Sequence, residues 1–138
     1  MKDGKITLER AKNCYKPCRL KPSDGKRYLA SQEFYDFNGF HFEEMWNLDT
    51  EICYFILVRL VNYRDISCGV PGCFLQNYGW NSNRITERKA AEHWNTVLNK
   101  MIRGFYLYLV KDFPTPKEQK IIEKGMKLFS EHYSSLWD

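Results

Sequence analysis

No stretch of this 138-residue chain approaches the ~18 consecutive apolar residues that a membrane span needs. Its opening, Met1-Lys2-Asp3-Gly4-Lys5, begins no apolar segment of the secretory kind. The expectation is a soluble, cytoplasmic protein. Also missing are a glycine-rich phosphate loop, a dinucleotide fingerprint, a nucleophile elbow and any internal repeat. Histidine is scarce, with only His41, His93 and His132, and no pair has metal-ligand spacing, which leaves a metal hydrolase without support. Five cysteines, Cys14, Cys18, Cys53, Cys68 and Cys73, are an odd number and argue against a disulfide framework. Cys14, Cys18, Cys68 and Cys73 could in principle offer four thiolates to zinc, but neither pair has the tight spacing of common zinc knuckles, so no metal and no cofactor is expected. Cys53 reads as a small core residue.

The excess of basic residues is slight. A net charge of +4 falls short of the dense basic stripe of a duplex nucleic-acid binder, while a small anionic ligand needs far less. What the chain does have is aromatic side chains, 16% of all residues. They fill cores and also provide flat faces on which bases stack. The length suits one domain, with residues 1–45 as an irregular, aromatic-rich wrap or arm and 46–138 as a helical core.

The periodicity predicts an all-α fold, a small bundle of about three main helices. Residues 2–28 are basic and polar, with Pro17, Pro22 and the turn signal Ser23-Asp24-Gly25, so at most one short helix or strand pair is expected there. Phe34, Tyr35, Phe37, Phe40, Phe42 and Trp46 follow, with a turn at Asn38-Gly39. The first main helix is expected over 49–63, with Asp49 as its cap and Ile52, Phe55, Ile56, Leu60 and Tyr63 on one face. Because Tyr54, Val58 and Val61 make the other side apolar too, this helix is expected to be central or covered by a second subunit, hence a homo-oligomer. Cys68-Gly69-Val70-Pro71-Gly72-Cys73 then breaks the helix.

A second helix is predicted over 86–111, carrying Trp94, Val97, Leu98, Met101, Ile102, Phe105 and Leu109 as one stripe. The last opens at Thr115-Pro116-Lys117-Glu118 with a threonine cap, an N-terminal proline and a capping-box glutamate. Its buried face reads Ile121, Ile122, Gly125, Leu128, Phe129, His132, Leu136 and Trp137, with Gly125 placed for a close helix approach and His132 as a hydrogen-bonded core residue. A short linker makes these two helices an antiparallel hairpin.

Among charged residues, Arg59 lies amid Leu57, Val58, Leu60 and Val61 and must be paired with an acid, a carbonyl or a bound anion, with Asp49 or Glu51 as structural partners. Arg84, Arg88, Lys89, Lys100 and Arg103 sit at or along the second helix. Glu43, Glu44 and Asp49 are the carboxylates that could hold magnesium in a nucleotide hydrolase, although the later helices supply no matching acids on their apolar faces.

The segments Met45-Trp46-Asn47-Leu48-Asp49, Ile56-Leu57-Val58-Arg59-Leu60 and Gly69-Val70-Pro71 resemble a family of small tailed-bacteriophage proteins. The carboxyl half is similar to the same family through Trp94-x2-Val97-Leu98-Asn99-Lys100-Met101-Ile102-x2-Phe105 and Gly125-x2-Leu128-Phe129-x3-Tyr133-x2-Leu136-Trp137-Asp138. Val58 stands where that pattern often has proline, Asn99 where it often has aspartate, and Tyr106 where an acid often follows the phenylalanine. The loss of two acids fits binding better than catalysis.

The resemblance implies a phage accessory protein acting in the host cytoplasm. The role adopted from it is non-enzymatic: binding and sequestering a nucleotide-derived immune signal of the host without cleaving it. Such binding asks for aromatic faces and cations, frequently between subunits. The candidate ligand-binding residues are Trp46, Arg59, Trp80, Trp94, Lys100, Arg103 and Tyr106. The alternatives are a helical inhibitor that binds a host or phage protein, and the magnesium-dependent hydrolase.

Overall fold

A computed structural model describes residues 5–66 and 84–136 of the chain, with side chains in the second segment from residue 87. The fold is all-α. Its helices are α1 (Leu8–Asn13), α2 (Lys26–Asn38), α3 (Leu48–Ile66), α4 (Arg84–Val110) and α5 (Pro116–His132), and no strand occurs among the described residues.

The last two helices follow their sequence signals closely. The Thr115 N–H donates to Glu118 Oε1 at 2.9 Å and the Glu118 N–H donates to Thr115 Oγ1 at 3.1 Å, so two amides at the start of α5 have partners before the first helical turn closes. On α4, Trp94, Val97, Leu98, Met101, Ile102 and Phe105 are all buried. The hairpin meets at glycine. A Cβ on Gly125 would lie 2.8 Å from the Lys100 carbonyl oxygen and 2.9 Å from the Gly104 Cα, so the two backbones touch where side chains would hold them apart. The Gly104 half of this contact has no signal in the apolar stripe, which passes on either side of it.

On α3 the axis agrees with expectation but the rotation does not. It begins at Leu48, where the Thr50 and Glu51 amides donate to the Asn47 carbonyl, so Asp49 lies inside the first turn and is not the cap. The buried residues are Cys53, Leu57, Leu60, Val61 and Arg64, while Ile52 and Phe55, expected inside, stay 50% and 56% exposed. A helix apolar on both sides gives periodicity no means of choosing a face; the choice falls to what it meets, here α4 and α1. For the same reason α4, not α3, is the central helix, packing against both α3 and α5.

The amino-terminal third, expected as an irregular wrap, contains α1 and α2. Thr7 caps α1 by accepting from the Arg10 N–H, and Ile6 and Ala11 are buried in the main core. Helix α2 buries only Ser31, which is why its sequence shows no amphipathic stripe. It stops at Asn38-Gly39, with Gly39 in the left-handed region (φ 83°) and its N–H on the Tyr35 carbonyl. No helix is long and apolar enough to cross a membrane among the described residues. The Cys68–Cys73 segment and Trp137 lie outside the described residues.

Candidate functional site

The cations of α1 and α4 meet at one place. Arg10, exposed on α1, donates from Nε to the Tyr106 hydroxyl at 3.0 Å, and its guanidinium carbon stands 4.8 Å from the centre of the same ring. Tyr106 thereby fixes the direction of a side chain that otherwise loses considerable entropy on binding a ligand. Arg103 lies nearly one turn before Tyr106 on α4, and Lys111 follows the end of the helix. Together with Leu107, Val110 and Glu118 they line a cleft of about 430 Å³. Glu118 is its one carboxylate. It bonds Lys111 Nζ at 3.3 Å, and its contact with the Thr115 amide, helped by Lys111, holds its carboxyl below the usual range. The lining carries three cations and one carboxylate, and guanidinium forks have the shape that suits phosphate oxygens.

The candidate residues named from the sequence do not share one site. Arg103 and Tyr106 line this cleft. Trp94 is a core residue, 3% exposed and edge-on to His132 at 5.7 Å. Lys100 is exposed on α4, outside the cleft. Trp46 lines a separate apolar pocket beside α2. Trp80 lies outside the described residues. Arg59 borders a groove along α3, but its expected acid partners are occupied elsewhere. Glu51 accepts from Arg19 at 2.9 Å and from the Tyr15 hydroxyl, and Asp49 accepts from Tyr108. Arg59 instead donates to the Phe55 carbonyl at 3.2 Å and lies 3.5 Å above the Phe55 ring. It stays exposed because α3 turns this side outward.

The buried arginine is Arg64, which sequence reasoning missed. At 7% exposure it donates to Asp65 at 2.9 Å, to Asn99 at 2.8 Å and to the Ile6 carbonyl at 2.7 Å, joining α3, α4 and the segment before α1. Its position after Cys53, Leu57, Leu60 and Val61 on one helical row was the available signal.

The carboxylates considered for magnesium have other work. Glu43 is 2% exposed and accepts from the Ser31 hydroxyl at 2.6 Å and the Leu20 N–H at 2.8 Å. Burial alone would raise its pKa, but these bonds outweigh it and hold the carboxyl below the usual range. Glu44 accepts from the His41 N–H. No group of three His, Cys, Asp or Glu side chains is placed to hold a metal ion among the described residues. Burial pushes the Cys53 thiol up to about 12 and raises that of Cys14, so neither is an activated nucleophile. Compared with known proteins, the chain matches no family model, no curated protein and no solved structure.

Proposed function

We propose that this chain binds a small phosphorylated molecule in the cleft of Arg10, Arg103, Tyr106 and Lys111 and holds it intact. The observation that carries the reading is the convergence of three cations, one of them braced on an aromatic ring, around a cleft with a single carboxylate. Retention without cleavage is supported by the lining itself. Among the described residues the one carboxylate is engaged by Lys111 and by the Thr115 amide, and neither serine, cysteine nor histidine borders the cleft. The similarity to small phage proteins makes a nucleotide signal of the host's immune systems the first ligand class to try, with sequestration in the host cytoplasm as the role. Tyr106 then acts as a bracket for Arg10 and not as a base-stacking face, because the guanidinium already lies over its ring.

The test is a thermal-shift screen against cyclic di- and trinucleotides, cyclic ADP-ribose isomers and ordinary nucleotides, with chromatography of each ligand afterwards. One class should raise the melting temperature by several degrees and be recovered unchanged, and Arg103→Ala or Arg10→Ala should weaken it about tenfold or more. Absence of any shift, or conversion of the ligand, would overturn the proposal.

The groove along α3 favours a second reading, a helical module that docks a protein. It spans about 870 Å³ and exposes Phe40, Met45, Leu48, Ile52 and Phe55, with Arg59 and Tyr133 at its edges. Five exposed apolar side chains in one groove offer a partner a continuous apolar surface. Under the proposed function its occupant is a second copy of the chain, giving a homo-oligomer. Under the second reading it is a host or phage protein, no nucleotide produces a shift, and Arg103→Ala leaves the activity untouched.

A further inference from the structure

A second, chemically different pocket lies beside α2. One face of that helix, Arg27, Ala30, Ser31 and Phe34 at spacings of three and four, forms a wall. Phe42 and Trp46 form the opposite wall and Leu20 closes the side, enclosing about 280 Å³. The rings stand edge to face: Phe34 and Phe42 at 5.6 Å, and Phe42 and Trp46 at 5.9 Å. Ala30 leaves the space that a larger residue would occupy.

The buried Glu43 holds these walls together. Its two oxygens take the Ser31 hydroxyl from α2 and the Leu20 amide from the opposite segment, and Glu43 itself belongs to the turn Phe42–Met45 that carries Phe42. The pocket is therefore braced before any ligand arrives, which lowers the ordering cost of binding.

Its polarity is equally defined. Among the described residues the one polar group in the floor is the Ser31 hydroxyl, which donates its hydrogen bond to Glu43 and also meets His41 Nδ1 at 3.3 Å, so it offers a ligand no donor. Arg27 stands at the mouth with its guanidinium carbon 5.6 Å from the centre of the Trp46 ring, and it makes no ion pair among the described residues. An apolar enclosure with one cation at its rim selects a flat apolar body bearing one anionic group. A nucleobase fits poorly, because its polar edges would lose water and find no partners. The space is about twice the ~150 Å³ cavity known to accept benzene, hence room for one bicyclic ring.

We propose that this pocket binds a small aryl carboxylate, its ring seated between Phe34, Phe42 and Trp46 and its carboxylate on Arg27. The site is separate from the phosphate cleft and does not depend on it.

The experiment follows the tryptophan indole N–H signals of the full chain by NMR, with the Trp46 signal assigned through Trp46→Phe, during titration with indole-3-acetate, neutral indole and adenosine monophosphate. Indole-3-acetate should move the Trp46 signal to saturation, and indole should bind about tenfold more weakly. Arg27→Gln, an exposed position, should bring the acid down to the affinity of indole while leaving indole unchanged. Ala30→Phe, also exposed, should block both. No saturable movement of the Trp46 signal in the millimolar range, equal affinity for acid and indole, or equal movement by adenosine monophosphate would each overturn the proposal.

Discussion

Arg64 on α3 donates to the side-chain carbonyl of Asn99 on α4 at 2.8 Å, in a setting where the arginine side chain is almost wholly buried. The amide oxygen takes one guanidinium N–H without neutralising its charge, which is left to Asp65, a partly exposed neighbour. Asn99→Asp should convert this contact into a short ion pair across the α3–α4 interface. The added attraction exceeds the cost of desolvating the new carboxylate because the cation is already buried. The expected outcome is a gain of about 1 kcal/mol in urea unfolding at neutral pH; a loss would show that the amide donor of Asn99 serves a partner that a carboxylate cannot.

Gly125→Ala offers a sharper test of the hairpin. The added methyl group would meet the Lys100 carbonyl oxygen and the Gly104 backbone, neither of which can swing aside as a side chain would. Alanine brings about 1 kcal/mol of helix propensity, but separating the helices costs more. Net destabilisation of about 2 kcal/mol is expected, measured by chemical denaturation; an unchanged or raised midpoint would mean that α4 and α5 do not meet this closely.

The Tyr108 hydroxyl donates to Asp49 Oδ2 at 2.5 Å, tying the start of α3 to α4. This bond holds the Asp49 carboxyl below the usual carboxylate range and pushes the Tyr108 phenol up to about 12. The depressed carboxyl contributes stability above its unfolded pKa, and that contribution disappears as pH falls through the lower folded value. The raised phenol contributes stability below its ordinary pKa of about 10, lost as pH climbs toward the folded value. Tyr108→Phe should therefore be less stable than the parent by under about 1 kcal/mol across the neutral range, given the exposure of the pair. The two stability curves should converge at both the acid and the alkaline ends, and a difference independent of pH would exclude this bond as its source.

The outward row of α3 carries the test of association. Phe55→Asp places a charge in the middle of the groove formed with Leu48 and Ile52, without touching the buried row at Cys53, Leu57 and Leu60. Sedimentation of the parent should show self-association that the variant lacks, with unchanged helix content by circular dichroism. A parent that stays monomeric at the same concentrations would leave this face to a different protein.

Much of the helical core was legible because its signals are local. The capping box at Thr115 and the stripe from Trp94 to Phe105 each depend on residues within a few turns of one another, and the close approach at Gly125 showed only its α5 half, a glycine on an apolar face. Helix α2 was not legible, since only Ser31 on it is buried and a helix lying on a surface carries no stripe to read. Of the basic cleft, Arg103 and Tyr106 were visible as a cation and an aromatic on one amphipathic helix. Arg10 was not, because its contact with Tyr106 spans 96 positions and leaves no periodic trace.

By itself, then, the sequence determined that this protein is all-α, where its main helices begin and end to within a few residues, and which side of α4 and α5 turns inward. Those properties follow from hydrogen-bonding caps and from apolar spacing within single segments. Only the tertiary structure decided the rotation of α3, the burial of Arg64 in place of Arg59, and the scattering of the described candidate residues among a basic cleft, an apolar groove, an aromatic pocket, the core and the open surface. The physical reason is that charge and apolar surface are apportioned between segments when they pack. A helix equally apolar on two sides acquires an inside only from its neighbours, and an arginine takes whichever carboxylate, carbonyl or ring the finished fold places beside it.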